Sequence, residues 1–245
     1  MVAPVEGGGA PASKEVRQRR RASGTISIAS YNVRDGRRGG LHSAVRSLKR
    51  GRVDVAFLQE TKIAKAKFAA RAYRGYTIRV TPASGKNCGG VGLVYRETKR
   101  FSVENAKVVG PNVISFLLIT HKKERWHVVG GYFPPSDKEG AARRLAMEAL
   151  DAAPKDAKPL FIGDLNSDLD FPRDRQEEIL ATDLGGRGLR CATRGFRPRR
   201  TRKMRGCWTP RQTQTMQSGD RLNLRSKPDY FLMRDRDRGR GRRCR

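Results

Sequence analysis

The stretch Pro159-Leu-Phe-Ile-Gly-Asp164-Leu-Asn166 decides the fold class, because a short apolar run leads directly into polar side chains. Residues 159–163 have the length and composition of a buried strand. An acidic or amide group just past such a strand lies at the edge of a sheet, where sites on α/β scaffolds are usually built. The stretch therefore predicts an α/β fold with Asp164 and Asn166 in a candidate site.

Three further segments end a strand-like run on polar residues: Ser30-Tyr-Asn32-Val, Leu58-Gln-Glu60-Thr-Lys62 and Gly130-Gly-Tyr132-Phe-Pro-Pro135. Each segment alone is common in proteins, so the prediction rests on their combination. Magnesium prefers hard oxygen ligands and usually takes one or two carboxylates together with substrate phosphate. Glu60 and Asp164 meet that requirement, and we expect both carboxylates in one site although they are far apart in the sequence.

Strand-like runs outnumber helices in the rest of the chain. Apolar residues at helical spacing predict one helix that begins after Gly40 and ends at Gly51, and a second helix over 137–152. Strands are predicted over 25–33, 53–59, 76–80, 91–95, 113–120, 126–132 and 227–233, the runs 113–120 and 126–132 forming a hairpin. There is no internal repeat, so we predict one α/β domain with mixed sheets over residues 25–234.

The charge indicates a polyanionic partner. Lys and Arg number 53 against 24 Asp and Glu, which gives a formal charge of +29. Neutralising phosphates releases counterions and drives binding to nucleic acid without sequence preference, so a nucleic-acid binder without chemistry is the alternative on charge alone. Residues 1–24 are predicted to be a disordered basic arm and 235–245 an Arg-rich tail. A nucleic-acid-binding loop, or else a nuclear-localisation signal, is predicted at Arg197, Arg199, Arg200, Arg202, Lys203 and Arg205.

Cysteine spacing and hydropathy exclude several classes of protein. The four cysteines form no CxxC pair, which argues against a zinc or redox site. The N-terminal region lacks the apolar stretch of a signal peptide, and no run is long enough to span a membrane. We therefore expect a nuclear or cytoplasmic protein that is not secreted and has no membrane partner.

The order of the polar segments resembles the endonuclease/exonuclease/phosphatase superfamily over residues 25–234. The resemblance rests on Asn32, Gln59-Glu60-Thr61, Tyr132-Phe-Pro134, Gly163-Asp164-Leu-Asn166 and Pro228-Asp229-Tyr-Phe-Leu232, and it is strongest to the abasic-endonuclease-like domains of non-LTR (LINE-type) retrotransposons. It implies a four-layer α/β sandwich of two mixed sheets flanked by helices. It also implies a Mg²⁺-dependent DNA endonuclease, with Mn²⁺ as an alternative metal and element RNA as a second partner. Such an enzyme nicks DNA for target-primed reverse transcription.

The resemblance also implies roles for individual residues. Glu60 corresponds to the direct metal ligand, and Asn32 lies near the metal or the attacked phosphate. Asp164 corresponds to the base that deprotonates the attacking water, which Asn166 holds. Tyr132 corresponds to a phenol that contacts the scissile phosphate, and Asp229 to the carboxylate that orients a catalytic histidine. The catalytic residues are thus expected to be Asn32, Glu60, Tyr132, Asp164, Asn166 and Asp229.

The sequence departs from the superfamily pattern at the histidine. The only histidines are His42, His121 and His127, all upstream, and each is expected to be exposed or structural. We therefore expect a chain that ends before the Ser-Asp-His motif, lacks the last strand and nicks DNA poorly or not at all. A nucleic-acid-binding remnant without activity stays an alternative, as does a lipid or inositol-phosphate phosphatase. An abasic-site repair endonuclease is a further alternative, although Arg34 stands where repair enzymes carry an acidic residue.

Overall fold

Five strands form a first sheet in the computed structural model, which describes residues 26–85, 88–135, 140–167, 169, 172, 174–191 and 229–234. In chain order the strands are β1 (Ile28–Asn32), β2 (Val55–Gln59), β3 (Arg71–Tyr73), β4 (Tyr76–Val80) and β5 (Gly92–Arg96). Their spatial order is β1-β2-β5-β4-β3. β1 and β2 pair in parallel and the other neighbours are antiparallel, so the sheet is mixed.

A second sheet contains six strands. They are β6 (Phe101–Gly110), β7 (Val113–Thr120), β8 (Arg125–Tyr132), β9 (Lys158–Asp164), β10 (Leu189–Cys191) and β11 (Asp229–Arg234). Their spatial order is β10-β11-β9-β8-β7-β6. Only β8 and β9 pair in parallel among these described strands, and the predicted hairpin of β7 and β8 is confirmed.

In the part of the chain that the structure describes, three helices cover the outer faces of the two sheets. Helix α1 (Gly40–Arg50) packs Ala44, Val45 and Leu48 on the first sheet. Helices α2 (Ala141–Asp151) and α3 (Arg175–Gly186) pack on the second sheet. A third apolar cluster lies between the sheets, and the expected four-layer α/β sandwich is thereby confirmed. Among the described residues, no helix has the length and apolar character needed to cross a membrane.

The two sheets are in close contact where Phe57 of β2 meets Gly130 of β8. The Phe57 side chain is fully buried, and a Cβ atom at Gly130 would lie 2.3 Å from its Cδ2. Glycine is therefore required at position 130 for the ring to lie flat against the second sheet. The contact lies two to three residues before the polar ends of both strands.

Four elements were not predicted from the sequence. Strand β6 lies at an edge of its sheet and is irregular between Glu104 and Lys107, so its mostly exposed residues show no clean alternation. Helix α3 buries a narrow apolar face and begins at Asp174, whose side chain accepts hydrogen bonds from the backbone N–H groups of Gln176 and Glu177. Strands β3 and β10 are each three residues long, too short for a periodic signal.

The three histidines have structural or exposed positions, as expected. His127 is 8% exposed in β8, and its Nε2 lies 2.9 Å from the carbonyl oxygen of Ala149 in α2. His42 stacks on Tyr73 with 4.3 Å between the ring centroids, and His121 is exposed in the β7–β8 turn. Burial lowers the pKa of His127, and the Lys107 ammonium adds to the effect, whereas the hydrogen bond to Ala149 opposes it.

Stability should fall in acid because of His127. Below an unfolded-state pKa of about 6.5, the unfolded chain takes up a proton that the folded chain resists, so the free energy of unfolding decreases as the pH falls. We expect His127→Gln to have a shallower dependence between about pH 7.5 and 5.5, measured by urea unfolding. His121→Gln is the control and should keep the wild-type dependence. Equal slopes for wild type and His127→Gln would contradict the prediction.

The contact between the sheets can be tested with a double-mutant cycle. Gly130→Ala should lower the free energy of unfolding by about 1–3 kcal/mol, because the added methyl group overlaps the Phe57 ring. Combined with Phe57→Leu it should cost less than the sum of the single changes, with a coupling of at least about 0.5 kcal/mol. Gly185→Ala in α3 is the control, since nothing lies within 4 Å of its added Cβ. Additive effects at positions 57 and 130 would exclude the contact.

Candidate active site

Asn32 and Glu60 meet because their strands are parallel neighbours. Asn32 is in register with Gln59, so the residue after Gln59 lies beside the end of β1. The Asn32 side chain is nearly buried and donates from Nδ2 to Oε1 of Glu60 at 2.7 Å. Its Oδ1 accepts the backbone N–H of Arg34 at 2.9 Å. Both ends of the amide are thus engaged, and Asn32 holds the Glu60 carboxylate in place.

The backbone of Glu60 turns its side chain towards the second sheet. Leu58 packs towards α1, and alternation along the strand would direct Glu60 the same way. Glu60 instead has φ of 53°, a left-handed conformation that a residue other than glycine rarely adopts. The turn is held by the next two residues, because Thr61 N–H donates to Gly90 O at 3.0 Å and Lys62 N–H to Gly89 O at 3.1 Å. Strained backbone of this kind is common at functional sites.

Tyr132 connects the two sheets at the site. Its hydroxyl donates to Oε1 of Glu60 at 3.4 Å, across the interface between the sheets. Tyr132 and Asp164 are in register on the parallel pair β8 and β9, so their side chains share one face of the second sheet. Asp164 is 1% exposed. The structure therefore brings Asn32, Glu60 and Tyr132 into contact and places Asp164 on the strand beside them.

Asn166 supports Asp164 from the loop that follows β9. Its backbone N–H donates to Oδ1 of Asp164 at 3.0 Å, and its side-chain Nδ2 donates to Phe133 O at 2.9 Å. Phe133 N–H in turn donates to Asp164 O at 2.9 Å. These bonds join the loops after β8 and β9 and fix the orientation of the Asp164 carboxylate.

The remaining predicted site residues are described in part or not at all. The backbone of Asp229 pairs with that of Asp164, which puts the start of β11 at the same sheet edge. The predicted nucleic-acid-binding residues Arg197, Arg199, Arg200, Arg202, Lys203 and Arg205 lie outside the described residues, as do the arm at 1–24 and the tail at 235–245.

Two further charged residues beside the site are engaged with neighbours. The Lys62 ammonium lies 3.2 Å from Oε2 of Glu60. Asp35, one residue after Arg34, pairs with Arg37 at 2.7 Å. Hydrogen bonds from the Arg37 side chain and backbone lower the pKa of Asp35 to about 2. Asp35 is therefore ionised at neutral pH, and its carboxylate forms an ion pair with Arg37.

Asn112 is a site-supporting residue that sequence reasoning missed. It is buried in the β6–β7 turn, where its Oδ1 accepts the backbone N–H of Gly90 at 3.2 Å. Its carbonyl oxygen accepts the N–H of Tyr132 at 2.9 Å. Asn112 thus joins Tyr132 to the glycine turn that holds Thr61 and Lys62. The only sequence signal is a Pro-Asn turn between two strands, which is common in proteins.

The donor set at the site fits magnesium. Its members are the Glu60 carboxylate, the Asn32 amide, the Tyr132 phenol and the Asp164 carboxylate, without a thiol or imidazole. Among the described residues, no group of three or more His, Cys, Asp or Glu side chains could cage a metal ion. Mg²⁺ is the ion that accepts one or two protein carboxylates and completes its shell with water and substrate oxygens. Lys62 already gives Glu60 a cationic neighbour, which shows that the carboxylate accepts positive charge.

The sequence profile described as the Endonuclease/Exonuclease/phosphatase family matches residues 29–242, nearly the whole chain. The chain belongs to the Endonuclease/Exonuclease/phosphatase family. Its members are nucleases and phosphatases, and the expected enzyme class, a metal-dependent phosphoesterase, is thereby confirmed. No curated protein matches the chain in sequence.

Solved structures of other family nucleases share the fold. The endonuclease domain of TRAS1, a telomere-specific non-LTR retrotransposon, is 17% identical with a TM-score of 0.60, and the match covers 86% of each chain. The AP endonuclease LMAP from Leishmania major is 17% identical with a TM-score of 0.59, covering 86% of this chain and 79% of that one. The 3′ phosphatase NExo from Neisseria, bound to product DNA hairpin, is 18% identical with a TM-score of 0.58, covering 87% and 88%. At these identities the likeness shows the fold.

The role of Asn112 can be tested without an activity assay. Asn112→Ala should lower the free energy of unfolding by about 1–3 kcal/mol, the cost of leaving a buried donor unpaired. It should also speed hydrogen exchange at the amides of Thr61 and Lys62, because the glycine turn loses its anchor. Ile114→Val, a core change that costs about 0.5–1.5 kcal/mol, is the control and should leave those two amides protected. Unchanged exchange in Asn112→Ala would show that the turn holds without it.

Proposed function

We propose that this protein is a Mg²⁺-dependent DNA endonuclease of the retrotransposon type, which nicks DNA for target-primed reverse transcription. The observation that carries the proposal is the convergence of Asn32, Glu60 and Tyr132, from both sheets, beside Asp164. Two carboxylates, an amide and a phenol at one rim of a charged protein suit the hydrolysis of an anionic diester.

Each residue has a defined task in that reaction. Asp164 is fixed by the N–H of Asn166 and takes the proton of the attacking water. The Tyr132 hydroxyl, which lies beside Glu60, contacts the scissile phosphate. Asn32 keeps the Glu60 side chain oriented. Glu60, with Asn32 beside it, would hold Mg²⁺, which supplies positive charge that offsets the charge developing on the phosphate. Lys62 adds a second positive charge next to Glu60.

DNA is the substrate that the charge favours. A net charge of +29 suits a polyanion and disfavours small phosphate esters as the main target. Two similar structures, which share the fold, are a retrotransposon endonuclease domain and an enzyme bound to a DNA hairpin. Abasic-site cleavage is the second candidate, because AP endonucleases are equally similar in fold. Arg34, in place of the acidic residue of repair enzymes, favours intact DNA.

Plasmid nicking is the direct test. The chain should convert supercoiled plasmid to open circles slowly in Mg²⁺ and stop when EDTA is added. Asp164→Ala should reduce the rate by about 10²–10⁴ through loss of the general base. Asp156→Ala is the control, because this exposed carboxylate pairs with Arg125 at the opposite end of the second sheet and should leave the rate unchanged.

Three results would contradict the proposal. Binding of plasmid without any cleavage would indicate a nucleic-acid-binding remnant. Nicking that survives Asp164→Ala would remove Asp164 from the reaction. Cleavage of abasic duplex alone, with intact plasmid untouched, would indicate a repair enzyme.

A further inference from the structure

Within residues 26–191, positive charge is concentrated in the part that forms the first sheet and α1. Residues 26–96, which form the first sheet and α1, contain 15 Lys and Arg against 3 Asp and Glu. Residues 97–191, which form strands β6 to β10 and helices α2 and α3, contain 15 of each. The three acids of the first half are Asp35, Asp54 and Glu60, and each is paired with a basic side chain.

Four of these basic residues surround one cleft on the outer face of α1. Arg46, Lys49 and Arg50 lie one turn apart on the helix, and Arg74 faces them from the β3–β4 turn. The cleft has a volume of about 520 Å³, and Ser43 lines it as well. Beside the cleft, His42 stacks on Tyr73, and the Arg74 guanidinium lies 5.5 Å from the centre of the Tyr73 ring.

The cations of this cleft lack the carboxylate partners that other arginines have. Arg100 pairs with buried Asp54, and Arg187 pairs with Asp151 and Asp183. Within the part of the chain that the structure describes, none of the four cleft cations makes an ion pair. Four uncompensated charges at one concave surface repel each other, and a bound polyanion removes that repulsion.

The cleft lies at the opposite end of the first sheet from the candidate active site. The site is at the carboxyl ends of β1 and β2, where Asn32 and Glu60 meet. Arg74 lies two residues before β4. The first residue of β4, Tyr76, donates from its hydroxyl to Val53 O, just before the start of β2. A strand of five residues, about 16 Å, separates the two ends. A phosphate group bound in the cleft is therefore not the phosphate group at Glu60.

We propose that this cleft binds the phosphate backbone of a nucleic-acid strand as a second site, separate from the candidate active site. Arg and Lys supply charge to successive phosphates, and Ser43 supplies a hydroxyl donor. The inference is independent of cleavage, because it concerns binding on the outer face of α1.

The test compares two triple variants that remove the same charge. The cleft variant is Arg46→Gln, Lys49→Gln and Arg74→Gln; the control is Lys99→Gln, Lys122→Gln and Lys123→Gln, from turns of the second sheet. Each set includes one residue with a left-handed backbone, Arg74 in one and Lys123 in the other, so local strain is matched. The probe is a fluorescent oligo(dT) strand of about 16 nucleotides, titrated by anisotropy between about 50 and 200 mM salt.

The cleft variant should lose about 2 from the slope of log K against log salt, because each phosphate contact on a single strand contributes about 0.7. The slope of the control variant should fall by less than about 0.7, the contribution of one phosphate contact. In the wild-type protein, the oligonucleotide should also protect Lys49 from acetylation and leave Lys99 reactive.

Equal slopes for the two variants, or an unprotected Lys49, would overturn the proposal. Phosphatidylserine vesicles provide the last comparison. If the cleft variant loses vesicle binding and keeps oligonucleotide binding, the surface is a lipid contact and the proposal is wrong. Absent nicking, by contrast, would leave these binding results unaffected and would count against the proposed endonuclease alone.

Discussion

The packing of Phe57 against Gly130 is the constraint on which the site depends. Phe57 lies three residues before Glu60, and Gly130 lies two residues before Tyr132. The missing side chain at position 130 lets the two sheets approach, and that approach brings the Tyr132 hydroxyl within reach of the Glu60 carboxylate. The spacing of the candidate site residues is therefore set in the apolar core, where packing is dense and resists small displacements.

Polar groups are confined to one rim of this core, and the backbone holds them there. Asn32 and Glu60 come from the first sheet and Tyr132 and Asp164 from the second, yet one hydrogen-bond network links three of them. Asn112 extends the network to the glycine turn below Lys62. Rigid strands with supporting bonds hold reacting groups more precisely than flexible loops would.

Much of the architecture could be predicted from the sequence. Buried strands such as Tyr76–Val80 and Val113–Thr120 consist mostly of apolar residues, and their predicted bounds are confirmed. Strand β6 could not be recognised, because an exposed edge strand with bulges has no period. Helix α3 did have a local signal, since Asp174 followed by Glu177 is a helix-start pattern. The signal was outweighed by the Gly-Gly pair at the end of the helix, because glycine disfavours helical structure.

The site was predicted in its residue types and missed in its local geometry. Strand-end polarity and the family resemblance singled out Glu60 and Tyr132. The left-handed turn at Glu60 depends on bonds from Thr61 and Lys62 to a distant loop, which no local pattern encodes. Asn112 was not predicted as a site residue for the same reason. Its hydrogen-bond partners, Gly90 and Tyr132, are 22 and 20 residues away in the sequence.

Within residues 26–191, the uneven distribution of charge between the two halves contributes a dipole moment. Residues 26–96 carry a net charge of +12 (15 basic against 3 acidic residues), whereas residues 97–191 are neutral (15 against 15). In the field of a polyanion, such a body experiences a torque before any contact forms. Diffusional encounters are then biased towards one orientation, which raises the productive fraction of collisions and makes the association rate sensitive to ionic strength. Within residues 26–191, the first sheet and α1 are therefore the part that a polyanion attracts most strongly.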